Sequence, residues 1–202
     1  MTRLHPQSRA VLAQAAARPE HLVPGAPGFD LARTRAEQRA GATAGEPVFE
    51  VSDLEVGGVG CRVFRPEPAD APVLVYLHGG GWTFGSIEEA GSLCRALANR
   101  AGWAVLAVDY RLAPEYPFPA AVEDVEAVLG ALPGRGEAVG ADVSRVAMAG
   151  DSAGANLGVA VALRAQKRGG MPWLLQALLY PVLDLVGEAP SRRQFATGYG
   201  LE

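Results

Sequence analysis

The sequence predicts an α/β protein with one mostly parallel sheet and helices on both of its faces. Unbroken apolar runs, typical of strands buried on both sides, alternate with segments of helical periodicity about 10–16 residues long. That alternation indicates βαβ units, in which each crossover helix packs against the sheet. With 202 residues, of which 49% are hydrophobic and 20% charged, the chain is long enough to bury one sizeable core.

The N-terminal region is predicted to form two helices, at 6–17 and 31–40, that lie over the core. Strands at 48–56 and 61–64 then form a hairpin, which turns at two glycines and adds an antiparallel edge to the sheet. The sheet is thus expected to begin with an antiparallel pair before its parallel part.

The parallel part of the sheet is predicted from the remaining elements. Buried strands are expected at 73–77, 103–108 and 145–149, a fourth strand at 174–179, and helices at 87–100, 119–132 and 153–168. On the first of these helices, Leu93, Leu97 and Ala101 form one apolar stripe.

Composition argues against several kinds of partner. The formal net charge of −4 gives no support for a basic face that binds nucleic acid or an anionic membrane. No apolar run reaches the ~18 residues of a membrane helix, and the N-terminus lacks a signal-peptide pattern. Cys61 and Cys94 are expected to be buried, reduced thiols. We therefore expect a cytoplasmic protein without a membrane span, a disulfide or a metal site.

The stretch Gly150-Asp-Ser-Ala-Gly154 ends an apolar strand and is followed directly by a helical segment. This G-x-S-x-G pattern is typical of a nucleophile elbow, a tight strand-to-helix turn that exposes the serine oxygen above the sheet. The turn is expected to hold Ser152 in a sparsely populated backbone conformation. Larger side chains two positions away would collide across the turn, so glycine fits there. Ser152 is therefore the candidate nucleophile.

A second motif, His78-Gly-Gly-Gly-Trp82, follows another buried strand. Acyl transfer needs N–H donors aimed at the oxygen that becomes negative in the tetrahedral intermediate. Such a glycine loop supplies donors together with the residue after the nucleophile, which here would be Gly80, Gly81 and Ala153. Because both motifs follow parallel strands, we expect them at the same edge of the sheet.

Other residues near these motifs receive mainly structural interpretations. Trp82 and Phe84 are candidates either to line an acyl pocket or simply to pack. Asp151 is expected to hydrogen bond at the elbow, and Asp184 to support a loop or cap. Charge pairing among Asp109, Arg111 and Glu115 is expected to fix a proline-rich loop, and Glu123 and Asp124 to favour the start of a helix.

Five motifs together resemble the hormone-sensitive-lipase-like α/β-hydrolases (α/β hydrolase fold-3), the group that includes bacterial carboxylesterases and arylacetamide-deacetylase-like enzymes. The matching stretches are His78-Gly-Gly-Gly-Trp82, Asp109-Tyr-Arg-Leu-Ala-Pro-Glu115, Pro117-Phe-Pro-Ala-Ala121, Gly150-Asp-Ser-Ala-Gly-Ala-Asn156 and Tyr180-Pro-Val182.

The resemblance implies the α/β-hydrolase fold and hydrolysis of short-chain acyl esters, small-molecule substrates, through an acyl-serine at Ser152 and without a cofactor. It implies that His78 holds the glycine loop, and it is compatible with a homodimer. It also implies an N-terminal helical cap segment at 1–45, a hydrolase core at 46–186, and the start of a second cap segment at 187–202.

One part of the expected machinery has no counterpart in the sequence. In this fold the nucleophile is followed by an acid and then by the histidine that acts as base, yet His5, His21 and His78 all precede Ser152. We expect the acid and base, with the last third of the fold, to lie beyond residue 202. The alternative is an inactive fragment or a small-molecule-binding pseudoenzyme of the same fold. Amide rather than ester cleavage would use the same residues.

Overall fold

The computed structural model describes residues 4–67, 70–170 and 173–196. The chain divides into two compact units: Gln38–Leu183 forms one, and Met1–Glu37 together with Asp184–Glu202 forms the other. The larger unit contains the sheet and the candidate site. Among the described helices, none combines the length and the apolarity that crossing a bilayer requires.

The predicted sheet is confirmed. Within the described residues its strands are β1 (Glu50–Val56), β2 (Val59–Arg65), β3 (Pro72–Leu77), β4 (Ala104–Val108), β5 (Asp142–Asp151) and β6 (Gln176–Leu179). They are arranged in the order β1-β2-β4-β3-β5-β6. β1 pairs with β2, and β2 with β4, in antiparallel orientation, whereas β4, β3, β5 and β6 are parallel. The N-terminal hairpin therefore forms the antiparallel edge that the sequence indicated.

The predicted helices form close to their expected positions, as α1 (Pro6–Ala16), α2 (Leu31–Ala40), α3 (Ile87–Ala101), α4 (Ala120–Ala131) and α6 (Ser152–Lys167). Two short helices were not predicted, α5 (Gly136–Val139) and α7 (Pro190–Gln194). Short 3-10 turns span Glu20–Leu22 and Leu132–Gly134. The C-terminal part of the predicted second cap segment, 197–202, lies outside the described residues.

Alternating side chains of β3 divide the core into two layers. Val73, Val75 and Leu77 belong to the cluster that contains residues of α4 and α6. Leu74 and Tyr76 belong to a second cluster, which contains residues of α3. Since successive strand residues point to opposite faces, α3 covers one face of the sheet while α4 and α6 cover the other.

The apolar stripe predicted for α3 is confirmed only at Leu97, which is partly buried and packs against the second core cluster, whereas Ala101 is exposed. The residues that α3 buries are Ile87, Ala90, Gly91, Cys94 and Ala98, whereas Leu93 is 43% exposed. A Cβ atom on Gly91 would lie 3.8 Å from the Phe64 ring, an ordinary van der Waals distance, so this face of α3 packs directly on a side chain of the sheet.

Both cysteines are buried free thiols, as expected. Burial raises the pKa of Cys61 and of Cys94 to about 12 in each case. A thiol with so high a pKa carries almost no thiolate near neutral pH, so neither side chain has the character of a nucleophile.

The ion pairs predicted within the loop after β4 are wrong at Arg111. Its backbone N–H donates to Asp124 Oδ2 at 2.8 Å, and its Nε donates to Asp124 Oδ1 at 2.9 Å. Glu123 lies farther away, with 3.7 Å between its Oε2 and Arg111 Nη2. Asp124 had been expected only to favour the helix start, but it is buried in α4 and ties the loop to that helix.

Replacing Asp124 by alanine is expected to lower the free energy of unfolding by about 1–3 kcal/mol, because the Arg111 N–H loses its acceptor. Glu123→Ala is the matched control and should change it by less than about 0.5 kcal/mol, since that carboxylate is exposed. Urea unfolding followed by circular dichroism measures both. Equal effects of the two substitutions would contradict this role of Asp124.

Candidate active site

The predicted elbow is present where β5 passes directly into α6. Ser152 is the first residue of the helix and has a φ of +50°, in the left-handed region. A non-glycine residue held there carries strain on the order of 1–3 kcal/mol. Ser152 is half-buried. The turn therefore presents the serine oxygen in the manner that nucleophilic attack requires.

The glycines beside the serine are required mainly by the neighbouring strand. A Cβ atom on Gly154 would overlap the carbonyl oxygens of Leu77 and His78. One on Gly150 would lie 2.8 Å from the Gly154 carbonyl carbon and 2.8 Å from the Leu77 carbonyl oxygen. The expected collision across the elbow thus applies to Gly150, whereas Gly154 is needed because α6 begins in contact with the end of β3.

The glycine loop and the elbow leave the same edge of the sheet. β3 and β5 are adjacent and parallel, and their register pairs Leu77 with Gly150. The chain therefore enters His78 and Asp151 side by side. The predicted meeting of the two motifs follows directly from this register.

Asp151 links the two motifs through its carboxylate. Its Oδ1 accepts hydrogen bonds from the Gly79 N–H at 2.9 Å and from the Tyr76 hydroxyl at 2.7 Å. Its Oδ2 lies 3.5 Å from the Tyr180 hydroxyl. A Cβ atom on Gly79 would overlap Oδ2, so glycine is required at the start of the loop. The carboxylate thus holds the loop against the elbow.

Two tyrosines of this network had no role in the sequence interpretation. Burial raises the pKa of Tyr76 above its usual range, so its hydroxyl is a permanent donor to Asp151. Tyr76 interrupts an otherwise aliphatic strand. Because a buried hydroxyl needs a hydrogen-bond partner, a tyrosine at this position is the sequence signal that could have identified its role. Tyr180 has a φ of +36° and follows β6.

His78 is 5% exposed and is fixed by its neighbours. Its Nδ1 lies 2.7 Å from the Gly79 carbonyl oxygen, and its ring stacks on Tyr110 with 4.4 Å between centroids. The Tyr110 hydroxyl donates to the His78 carbonyl oxygen at 2.6 Å. Burial lowers the pKa of His78, which keeps the imidazole neutral. Because a carbonyl only accepts, Nδ1 carries the proton and Nε2 is an acceptor.

Trp82 and Phe84, paired in the sequence interpretation, lie in different surroundings. Trp82 has a φ of +58° and packs against the hydrophobic core. Of the two roles considered from the sequence, lining a pocket or packing, this contact corresponds to packing. Phe84 lines a cleft of about 320 Å³ between the glycine loop and α3. The Phe84 N–H donates to the Gly80 carbonyl oxygen at 2.8 Å, closing the turn of the loop. Only Phe84 is therefore among the residues that line this cleft.

The segment after β6 is held beside the elbow. The Asn156 side chain donates to the Val182 carbonyl oxygen at 2.7 Å, and the Val182 N–H lies 3.4 Å from the Ser152 carbonyl oxygen. These two contacts join the motif that ends at Asn156, Gly150-Asp-Ser-Ala-Gly-Ala-Asn156, to the motif Tyr180-Pro-Val182.

Asp184 is engaged within its own turn. Its Oδ1 accepts from the Gly187 N–H at 2.7 Å and from the Val186 N–H at 3.0 Å. These hydrogen bonds, led by that from Gly187, lower the pKa of Asp184. These contacts agree with the expectation that Asp184 supports a loop.

The other two histidines have local partners. The Gln7 N–H donates to His5 Nδ1 at 3.3 Å, and His21 Nε2 lies 3.2 Å from the Glu37 carboxylate. Across the described ranges, the imidazole hydrogen bonds go to residues other than Ser152, and no three His, Cys, Asp or Glu side chains are grouped to hold a metal ion. The site thus combines an elbow serine with a glycine loop but includes no described base.

Comparison with known proteins matches a family described as alpha/beta hydrolase fold to residues 74–202. Esterase LipI of Mycobacterium tuberculosis is 43% identical over 143 residues, which are 67% of this chain and 45% of that protein. Carboxylic ester hydrolase LipN of the same organism is 40% identical over 193 residues, covering 84% of this chain and 49% of LipN. Ethyl acetate hydrolase of Pseudomonas putida is 42% identical over 148 residues, which are 70% and 46% of the two chains.

Solved structures agree with these sequence matches. A hyperthermophilic esterase from the archaeon Pyrobaculum calidifontis superimposes with a TM-score of 0.86 at 36% identity, covering 98% of this chain and 66% of that one. The chain spans about half the length of the curated relatives it matches.

The close contact between α6 and β3 predicts a strong effect of Gly154→Ala. Because the added methyl group overlaps backbone oxygens, we expect a loss of roughly 3 kcal/mol in the free energy of unfolding. Gly158→Ala is the control in the same helix: its Cβ atom would meet a flexible side chain, Met148 Sδ at 3.1 Å. That change should stay within about 1 kcal/mol. Similar urea midpoints for the two variants would contradict the close approach.

Proposed function

The chain belongs to the α/β-hydrolase fold family, and we propose that the protein is a carboxylic ester hydrolase that acts through an acyl-serine intermediate at Ser152. The observation that carries the proposal is the strained Ser152, with φ +50°, beside a glycine loop at the same sheet edge. The names of the relatives, which describe esterases and carboxylic ester hydrolases, support the same reaction. Those names favour hydrolysis over a binding protein that has lost activity.

The proposed reaction has two stages. Ser152 Oγ forms a bond to the ester carbonyl carbon, and the tetrahedral intermediate then breaks its bond to the alcohol oxygen. The alcohol leaves with the proton that Oγ gave up. Water next attacks the acyl-serine, which releases the carboxylic acid and returns a proton to Oγ. No cofactor takes part in this scheme.

We assign the oxyanion donors to the N–H groups of Gly80, Gly81 and Ala153. Ala153 lies in the first turn of α6, where N–H groups have no partner within the helix and the helix dipole is positive. Asp151 and His78 then act as positioning residues for Gly79, which precedes these donors. Asp151 accepts from the Gly79 N–H, and His78 Nδ1 donates to the Gly79 carbonyl oxygen.

The proposal places the base and its orienting carboxylate outside the 202-residue sequence. His78 does not serve as base in this scheme, because its Nδ1 is engaged by Gly79 and it supports the loop. A serine without its base retains only the weak catalysis that binding and oxyanion donors supply.

Several finer expectations accompany this reaction and remain predictions. They are a preference for short-chain acyl esters, a cytoplasmic location, a homodimer, and a cap formed by 1–45 and 187–202. The cap assignment is supported by the grouping of both chain ends in one compact unit. Size-exclusion chromatography and acyl-length profiles of the complete natural protein test the oligomer and the substrate range.

Replacing Ser152 by alanine in the complete natural protein should lower hydrolysis of p-nitrophenyl butyrate by at least about 10⁴-fold, because no acyl-enzyme can form. Ser144→Ala, an exposed serine earlier on β5, is the control and should keep the native rate. Equal rates of the native protein and Ser152→Ala would overturn the assignment of the nucleophile.

The role of Asp151 predicts a specific kinetic pattern. Asp151→Ala should lower kcat by about 10²-fold with little change in KM, because the loop that carries the donors loses its anchor. Asp151→Asn keeps an oxygen that can accept from Gly79 and Tyr76, so kcat should recover to within about tenfold of the native value. If Asp151 acted only in folding, both variants would contain a smaller fraction of folded, active protein. The kcat of that active fraction would then be the same in Asp151→Ala and Asp151→Asn.

A further inference from the structure

Tyr180 lies beside the candidate nucleophile because of the strand register. β5 and β6 are adjacent and parallel, and the last pair of their register is Asp151 with Leu179. The next residues along the two segments are Ser152 and Tyr180. Neighbouring strands of a sheet are about 4.8 Å apart, so Ser152 and Tyr180 leave the sheet side by side at its carboxyl edge.

The Tyr180 side chain extends from β6 across the end of β5. Its hydroxyl oxygen lies 3.5 Å from Asp151 Oδ2. The other oxygen of that carboxylate accepts from the Gly79 N–H at 2.9 Å. Because the backbone of Tyr180 follows β6 while its hydroxyl reaches the residue before Ser152, the ring lies alongside the elbow, on the side opposite to β3.

The backbone at Tyr180 is held in an uncommon conformation by the elbow itself. A residue before a proline normally has an extended backbone, yet Tyr180 precedes Pro181 and has a φ of +36°. The following residue is fixed from two sides: the Val182 N–H lies 3.4 Å from the Ser152 carbonyl oxygen, and the Asn156 side chain donates to the Val182 carbonyl oxygen at 2.7 Å. Strained conformations of this kind cluster at functional sites.

The faces of the Tyr180 ring are open. The residue is 72% exposed although it lies next to the candidate nucleophile. Its contact with Asp151 is at the outer limit of hydrogen-bond length and involves the tip of the side chain. The apolar faces of the ring are therefore available to an apolar group of a bound ester.

We infer that Tyr180 is a specificity-determining residue of the ester site, whose ring forms the wall on the β6 side of Ser152. The inference rests on the proposed function, because it takes Ser152 as the attacking group. The proposed oxyanion donors draw the carbonyl oxygen of the ester toward the glycine loop and the start of α6. One of the two remaining substituents, the acyl or the alcohol group, then meets the ring. The wall favours esters that are unbranched on that side over esters branched next to the ester bond.

The test compares specificity ratios in the complete natural protein. One pair of esters varies the acyl group, p-nitrophenyl butyrate and p-nitrophenyl pivalate, and another varies the alcohol, ethyl butyrate and isopropyl butyrate. Tyr180→Ala should raise kcat/KM for the branched ester relative to the unbranched one by at least about tenfold in one or both pairs. The pair that responds identifies the group that faces the ring. Unchanged ratios in both pairs would overturn the inference.

The ratio of kcat/KM values is independent of the active fraction and of the intrinsic reactivity of each ester. A loss of stability in Tyr180→Ala therefore does not produce the expected shift. Alanine is also no more restricted than tyrosine at a positive φ, so the substitution adds no backbone strain.

Two matched variants separate the ring from other effects. Tyr180→Phe keeps the ring and removes the hydroxyl, so both ratios should stay within about twofold of the native values. Tyr116→Ala removes another exposed tyrosine ring, in the loop after β4, and should also keep the native ratios. A shift in Tyr180→Phe or in Tyr116→Ala as large as that in Tyr180→Ala would overturn the inference.

Failure of the inference and failure of the proposed function give different results. If hydrolysis depends on Ser152 but the ratios are the same in the native protein and Tyr180→Ala, the role of Tyr180 fails and the hydrolase proposal stands. If Ser152→Ala hydrolyses the esters as fast as the native protein, the hydrolase proposal fails, and the role of Tyr180 fails with it.

Discussion

The hydrogen bond between the Asp151 carboxylate and the Gly79 N–H is the contact on which the geometry of the site depends. The parallel register of β3 and β5 ends with the pair Leu77 and Gly150. The carboxylate of the next residue, Asp151, accepts from the Gly79 N–H and fixes the loop that leaves β3. Ser152 follows in the next position, so one strand register sets both halves of the site.

Backbone strain is concentrated around this contact. Within the described ranges, the non-glycine residues with positive φ are Trp82, Ser152 and Tyr180. They belong to the glycine loop, the elbow and the segment after β6. Conformations of this kind persist only where the surroundings hold them. Here the core packing of Trp82, the strand-to-helix junction at Ser152 and the Asn156 contact with Val182 supply that support.

Local pattern was enough to predict the sheet, the helices, the elbow and the glycine loop, because each depends on periodicity or on glycine at fixed spacing. The family matches confirm the resemblance drawn from five motifs. Tertiary contacts escaped prediction: Tyr76, Tyr110 and Tyr180 acquire roles from residues distant in the chain. The partner of Arg111 was predicted wrongly, and the stripe on α3 was confirmed only at Leu97, because contacts between side chains distant in the chain are not visible in the sequence.

One carboxylate connects β3, the glycine loop and the elbow. Asp151 Oδ1 accepts from the Gly79 N–H and from the Tyr76 hydroxyl, so one donor of the loop and one of the strand fix its orientation. A neutral, isosteric side chain keeps an oxygen for both donors, whereas an apolar one loses both hydrogen bonds. In the proposed reaction, the position of the oxyanion loop relative to Ser152 therefore depends on a single rotamer.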